Sequence, residues 1–247
     1  MSISITKCSK DEIIKSIDDN DLVIDVGGGV APCTRANHII DILPYEQRNK
    51  KQMWGGIIPR FSKETWIVRD ACDKEPWPFP DKYFDFSICT QTLEDIRDPI
   101  WVCSELIRIS KKGLIEVPSR LYETSYGIEG KRLAGAHHHR WIIDLDNSVL
   151  RFTFKTSWVH LPWIANKKPP KGEKRFLRLI WKDNFRYKEN ILSGKEILFY
   201  LKRIIQPKDI DNFYARLFNY PPLMYRLYKL LKRKIWFQRL LRYLIRR

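Results

Sequence analysis

The sequence predicts an α/β fold: a mostly parallel sheet flanked by helices, with a shortened first crossover and a basic helical C-terminal extension. Three observations point there. Short β-branched runs recur through residues 20–120, each ending in glycine or a polar residue, as buried parallel strands do. Three consecutive glycines, Gly27-Gly28-Gly29, follow the first of these runs. Charge is divided unevenly: residues 1–150 hold 20 basic and 23 acidic side chains, net −3, and residues 151–247 hold 25 and 6, net +19. That division excludes a uniformly basic nucleic-acid coat and describes a near-neutral globular unit with a cationic appendage.

The elements follow in order. Residues 9–20 form a short amphipathic helix, with Ser9 as N-cap and Ile13, Ile14 and Ile17 on one face. Leu22–Val26 is a strand feeding the glycine turn, where positive φ angles come without steric cost. Asp41 follows Asp25 by only 16 positions, and Pro32 lies between them. The first crossover, Val30–Asn37, is therefore expected to be irregular. Strands follow at His38–Ile42 and Thr65–Val68. Lys74–Asp81, with three prolines, must be irregular. Then come a strand at Tyr83–Thr90, a helix at Pro99–Ile109 and a strand at Gly113–Val117. Val149–Phe154 and Phe176–Trp181 are two further strands, separated by a polar loop. The expected division is a domain over 1–194, with its core at about 20–120 and substrate-side insertions at 121–194, and a basic amphipathic helical extension over 195–247. In sheets of this kind ligands sit at the carboxyl ends of the strands, near the switch in strand order.

Five scattered cysteines with no C-x-x-C pair argue against a disulfide framework and a zinc ribbon. The N-terminal residues have no apolar stretch fit for a signal peptide. No run approaches the ~18–20 apolar residues of a spanning helix. The expected setting is cytoplasmic, peripheral to the inner face of a membrane if the basic tail docks there.

The glycine turn admits several ligands. A dinucleotide turn wants G-x-G-x-x-G, but the frame from Gly27 reaches Pro32 at the third position; a P-loop needs Gly-Lys-Ser or Gly-Lys-Thr, which is absent. Asp25-Val26-Gly27-Gly28-Gly29-Val30-Ala31 instead resembles the acidic-x-Gly-x-Gly-x-Gly turn of class I S-adenosylmethionine-dependent methyltransferases, with Ala31 for the last glycine. The resemblance continues in register through Asp41, Arg69-Asp70-Ala71, Pro76–Asp85 (like L-P-F-P-D-x-S-F-D) and Gln91–Pro99 (like H-x-L-E-H-x-x-D-P). It spans about residues 20–120. It implies a Rossmann-like fold and S-adenosylmethionine as cofactor, held by Asp25, Gly27, Gly28, Gly29, Asp41 at the ribose hydroxyls, Asp70 and Ala71 at the adenine, Thr90 and Gln91. Glu94 and Asp95 are expected to cap the next helix. Trp77 and Phe79 are expected to pack, although a ring there could cover the adenine.

Methyl transfer from a sulfonium needs alignment and a dry pocket, and a hydroxyl acceptor must also lose its proton. His137-His138-His139 is where a base is expected, with His138 and His139 as the candidate catalytic residues. Two histidines alone make no metal site; Glu116, Glu123 or Asp144 would have to join, and no metal is assigned. Arg120, Tyr122, Arg140 and Trp141 suit a hydroxyl-rich or anionic acceptor. Thr90-Gln91-Thr92-Leu93 stands where methylation of a base's exocyclic amine would call for Asn/Asp-Pro-Pro-aromatic. The motifs resemble the branch acting on small molecules, lipids and sugars, which implies O-methylation of a sugar-like, glycolipid or other small acceptor. Alternatives are an RNA methyltransferase gripping phosphates with its basic tail, and a non-catalytic membrane-tethering module. Residues 221–247 hold nine Lys or Arg, no acidic residue and apolar residues at helical spacing. They suit an anionic membrane surface, nucleic-acid phosphates or a helical cap.

Overall fold

The computed structural model describes residues 2–130, 133–160 and 168–192. The basic extension at 195–247, with the membrane and nucleic-acid contacts expected of 221–247, lies outside the described residues. The elements in chain order are β1 (Ser2–Ile5), α1 (Lys10–Lys15), β2 (Val23–Val26), β3 (His38–Asp41), β4 (Trp66–Val68), β5 (Phe84–Thr90), α2 (Pro99–Ile109), β6 (Ser110–Pro118), α3 (Arg120–Glu123), β7 (Trp141–Asp146), β8 (Val149–Phe154), β9 (Phe176–Lys182) and β10 (Arg186–Asn190).

Seven strands form one sheet in the order β4-β3-β2-β5-β6-β9-β1. The pairs from β4 to β6 are parallel. β9 runs antiparallel to both β6 and β1. Read along the chain from β2, the parallel part has the order 3-2-1-4-5 of a doubly wound sheet, and strand order switches between β2 and β5. The remaining strands form a second sheet, β10-β8-β7.

The pleat sends alternate side chains to opposite faces. Val23, Ile39, Phe86, Ile88 and Leu114 bury one face against Ile13, Ile14 and Ile17. Ile24, Val26, Ile40, Cys89, Ile115 and Val117 bury the other against Val102, Cys103, Leu106 and Ile109 of α2 and against Ile143, Leu150 and Phe152 of the second sheet. Ser9 caps α1 as expected, its hydroxyl accepting from the Glu12 amide while the Glu12 carboxylate accepts from the Ser9 amide. The helix is shorter than the sequence suggests and ends at Lys15.

Val30–Asn37 is irregular, as Pro32 requires. Other contacts do the work of the missing helix. Asp25 Oδ2 accepts from the Cys33 amide at 2.8 Å, Thr34 N donates to Trp54 O at 2.7 Å, and Asn37 exchanges bonds with Val23. The proline-rich segment at 74–81 is pinned to α2: Glu105 accepts from the Trp77 amide, and Arg108 donates to the carbonyls of Trp77 and Phe79. Trp77 is fully buried and Phe79 packs edge-on to Phe84, so both are packing residues.

Candidate cofactor and acceptor site

A cavity of about 320 Å³ opens at the carboxyl ends of the parallel strands, within the range of small-molecule sites. Gly27, Ile40, Asp41, Ile42, Asp70, Ala71 and Cys72 line it from the β2–β4 side, and Gln91, Thr92, Asp95, Ile96, Arg97 and Arg140 from the β5 side. It straddles the switch point, where two neighbouring strands send their connections apart and leave a crevice.

The backbone builds its floor. Gly27 N donates to Ile40 O at 2.8 Å and Gly29 N to Asp41 Oδ2 at 2.7 Å, which fastens the glycine turn to the end of β3. The Leu43 amide donates to the other Asp41 oxygen at 2.7 Å. Burial pushes the Asp41 carboxyl up, and these two amides pull against that rise. Gly27 has φ +75°, and a Cβ there would stand 2.3 Å from Cγ2 and Oγ1 of Thr92. The space over Gly27 therefore belongs to Thr92, a close approach that only glycine permits. Gly29, with φ +55°, is open: a Cβ there would meet nothing nearer than 3.9 Å. Gln91 also sits at positive φ, 53°, with its amide on Glu116 O. A non-glycine residue held there is the kind of local strain that gathers at functional sites.

Of the residues expected to hold a cofactor, Gly27, Asp41, Asp70, Ala71 and Gln91 line this cavity; Asp25, Gly28, Gly29 and Thr90 are not among its walls. Asp25 points to the opposite face, toward the connector it fastens. Burial, and secondarily Asp41, push its carboxyl up to about 7, against the Cys33 amide. Asp70 is engaged by the Cys72 amide at 2.8 Å and by Arg97 at 2.5 Å.

The acceptor-side residues scatter. Arg140 lines the cavity, and its amide donates to Glu94 O at 2.7 Å. Trp141 is buried, its indole N–H bonded to Ile96 O. Arg120 pairs with Asp144 on β7, and Tyr122 stacks under Arg175 and lines a separate hollow with Pro169 and Pro170. Glu94 and Asp95 do not cap the next helix. Asp98 does, its side chain accepting from Trp101 N with Pro99 following it. Glu94 is instead buried with both carboxylate oxygens unpaired. Burial, with Asp95, Glu123 and Glu116 nearby, pushes its carboxyl well up. Thr92, Asp95 and Arg97 are wall residues that sequence reasoning did not single out for the site.

The histidines stand at the Asp95 end. The His139 side chain is mostly covered, with Nδ1 2.5 Å from Glu123 Oε1, and Glu123 also pairs with the buried Lys155. His138 is half exposed, with Nδ1 3.0 Å from Glu129. The Nε2 atoms of His138 and His139 lie 3.9 and 3.7 Å from Asp95 Oδ1.

Residues 10–124 match the family profile described as methionine biosynthesis protein MetW. The match covers a little under half of the chain, and the mostly parallel, helix-flanked sheet within it is consistent with a Rossmann-like methyltransferase fold. No curated protein matches the chain significantly. Among solved structures it is similar to a SAM-dependent methyltransferase of Thermotoga maritima (14% identity, 71% of this chain and 88% of that one, TM-score 0.39). It is also similar to one of Aquifex aeolicus (17%, 49% and 68%, TM-score 0.32). A third is the YcgJ protein of Bacillus subtilis (19%, 44% and 49%, TM-score 0.31). The chain spans about half the length of the first structures it matches. Among the described residues no helix is long and apolar enough to cross a membrane.

Proposed function

We propose that this chain is an S-adenosylmethionine-dependent methyltransferase that acts on a hydroxyl group of a small sugar-like or lipid-linked acceptor. The observation that carries the reading is the cavity at the switch point, with a glycine turn and Asp41 on one wall and Asp95 and Arg140 on the other. The residues fit the cofactor. Gly29 leaves room beside Asp41, and a carboxylate that holds two amides keeps lone pairs for ribose hydroxyls. S-adenosylmethionine supplies a methyl group on a sulfonium, already a good leaving group. Asp41 fixes the adenosyl end, while Ala71 and Ile42 offer apolar contact to the base. Arg140 and Asp95, on the opposite wall, offer a donor and an acceptor to a hydroxylated substrate, and His138 and His139 stand beside Asp95 where the hydroxyl proton must leave.

Titration calorimetry with S-adenosylhomocysteine tests the reading. Asp41→Asn removes the charge from the acceptor of the ribose hydroxyls, so affinity is expected to fall roughly 10- to 100-fold, the loss of a charge-assisted bond or two. Urea unfolding of the same variant controls for the amides that Asp41 also holds. Absence of heat with the wild type, or unchanged affinity in a folded Asp41→Asn variant, overturns it.

A further inference from the structure

The side chains of Asp95, His138 and His139 bring three metal-ligating atoms within 4.8 Å of one another. From this convergence we propose that they bind one first-row divalent transition-metal ion at the mouth of the cavity. Each feature of the cluster is what such an ion requires. Asp95 Oδ1 is buried and has no hydrogen-bond partner. The Nε2 atoms that face it, at 3.7 and 3.9 Å, stand too far away for hydrogen bonds. Two donors each about 2.1 Å from a shared ion stand at most ~4.2 Å apart, so both pairs fall within its span.

The histidines are also set from behind. A metal-bound imidazole normally gives its other ring N–H to a carboxylate, which fixes the tautomer and ring plane. Here both do so: His139 Nδ1 meets Glu123 and His138 Nδ1 meets Glu129. With Nδ1 as the donor, each Nε2 keeps its lone pair and lies within 4 Å of Asp95 Oδ1. Lys155 holds Glu123 from its other oxygen, so the buried carboxylate cannot swing away. Asp95, Glu123 and Glu129 place three carboxylates about the two imidazoles, while the nearby cations Lys155 and Arg97 are already paired with Glu123 and with Asp70 and Asp73. Two imidazoles and one carboxylate suit iron(II), zinc(II) or manganese(II), and leave positions open for an exogenous oxygen.

The sequence left the histidines without a carboxylate partner other than Glu116, Glu123 or Asp144. Asp95 joins them from a segment more than forty positions earlier, and Glu123 stands behind them. If the methyltransferase reading holds, on which this last step alone rests, the ion binds the acceptor hydroxyl and lowers its pKa, since Asp95 is shared between the ion and the cavity wall.

The test is cobalt(II) binding to the full chain, followed by its visible absorption and by equilibrium dialysis, with S-adenosylhomocysteine calorimetry on the same samples. One cobalt per chain is expected. His138→Ala, at a half-exposed position that leaves folding intact, and Asp95→Asn should each weaken it at least 10-fold. Glu129→Gln, which weakens the carboxylate behind His138 along with its contacts to His137, should weaken it roughly 10- to 100-fold. Absence of a stoichiometric site, or a site unmoved by both His138→Ala and Asp95→Asn, overturns the proposal even if S-adenosylhomocysteine binds. Loss of S-adenosylhomocysteine binding with cobalt retained sinks the methyltransferase reading and spares the ion.

Discussion

Gly27 is the position where a single methyl group should do most damage. Its φ of +75° lies in the left-handed region, which costs an alanine about 1–2 kcal/mol. The added Cβ would also overlap Thr92 Cγ2 and Oγ1 at 2.3 Å and Thr92 Cβ at 2.8 Å. Thr92 has little freedom to retreat: its hydroxyl lies 3.0 Å from Thr90 O and 3.2 Å from Gly27 O. Displacing a packed side chain of this kind costs about 1–3 kcal/mol. Gly27→Ala is therefore expected to lose roughly 2–5 kcal/mol of the 5–15 typical of a domain. Urea unfolding followed by tryptophan fluorescence reads this directly. A second measurement separates the two causes. Thr92→Gly removes all three overlapping atoms, so in that background Gly27→Ala should cost only the backbone share, giving a coupling of about 1–3 kcal/mol. Gly27→Ala within about 0.5 kcal/mol of wild type, or strict additivity in the cycle, would refute the reasoning.

Two further changes probe buried charge. The Asp25 carboxyl is pushed by burial up to about 7 from 3.8, so its contribution to stability is full below the lower value and is lost as pH rises toward the upper one. Asp25→Asn should flatten that decline, and equal pH slopes for variant and wild type between about pH 4 and 7 would show the carboxyl is not the cause. Arg178 and Glu116 form a buried pair across β9 and β6. Arg178→Met strands the Glu116 carboxylate and should cost about 3–5 kcal/mol, much of it restored by adding Glu116→Gln; a loss under about 1 kcal/mol speaks against a buried pair.

The strands and the turn of the parallel core are legible in the sequence because they are buried on both faces. Val23–Val26 and His38–Asp41 are mostly β-branched apolar, and the structure puts them within a residue of where the composition does. β1, β7 and β10 are absent from the sequence reading for opposite reasons. β1 is four residues long with one buried side chain, Ile3, and β10 is a polar edge, so neither has a pattern to read. β7 does have a signal: Asn147-Ser148, both at positive φ, join it to β8 as a two-residue hairpin turn. The site divides along the same line. Asp41 ends β3 and Ala71 lies three residues beyond β4, so both could be found by position. Asp95 faces His138 and His139 only because the Arg140 and Trp141 amides bond to the Glu94 carbonyl. Nothing local to either segment encodes that contact.

The outermost strand also bears on how the chain folds as it is made. Ser2 is paired with Lys182 and Ile5 with Leu179. β1 thus has to wait for a partner made some 180 positions later before its backbone is satisfied. Loop closure over so long a span slows the final step, while the local pairings of β2 through β6 can form beforehand. Folding of this domain during synthesis should therefore finish late, by zipping shut along one margin.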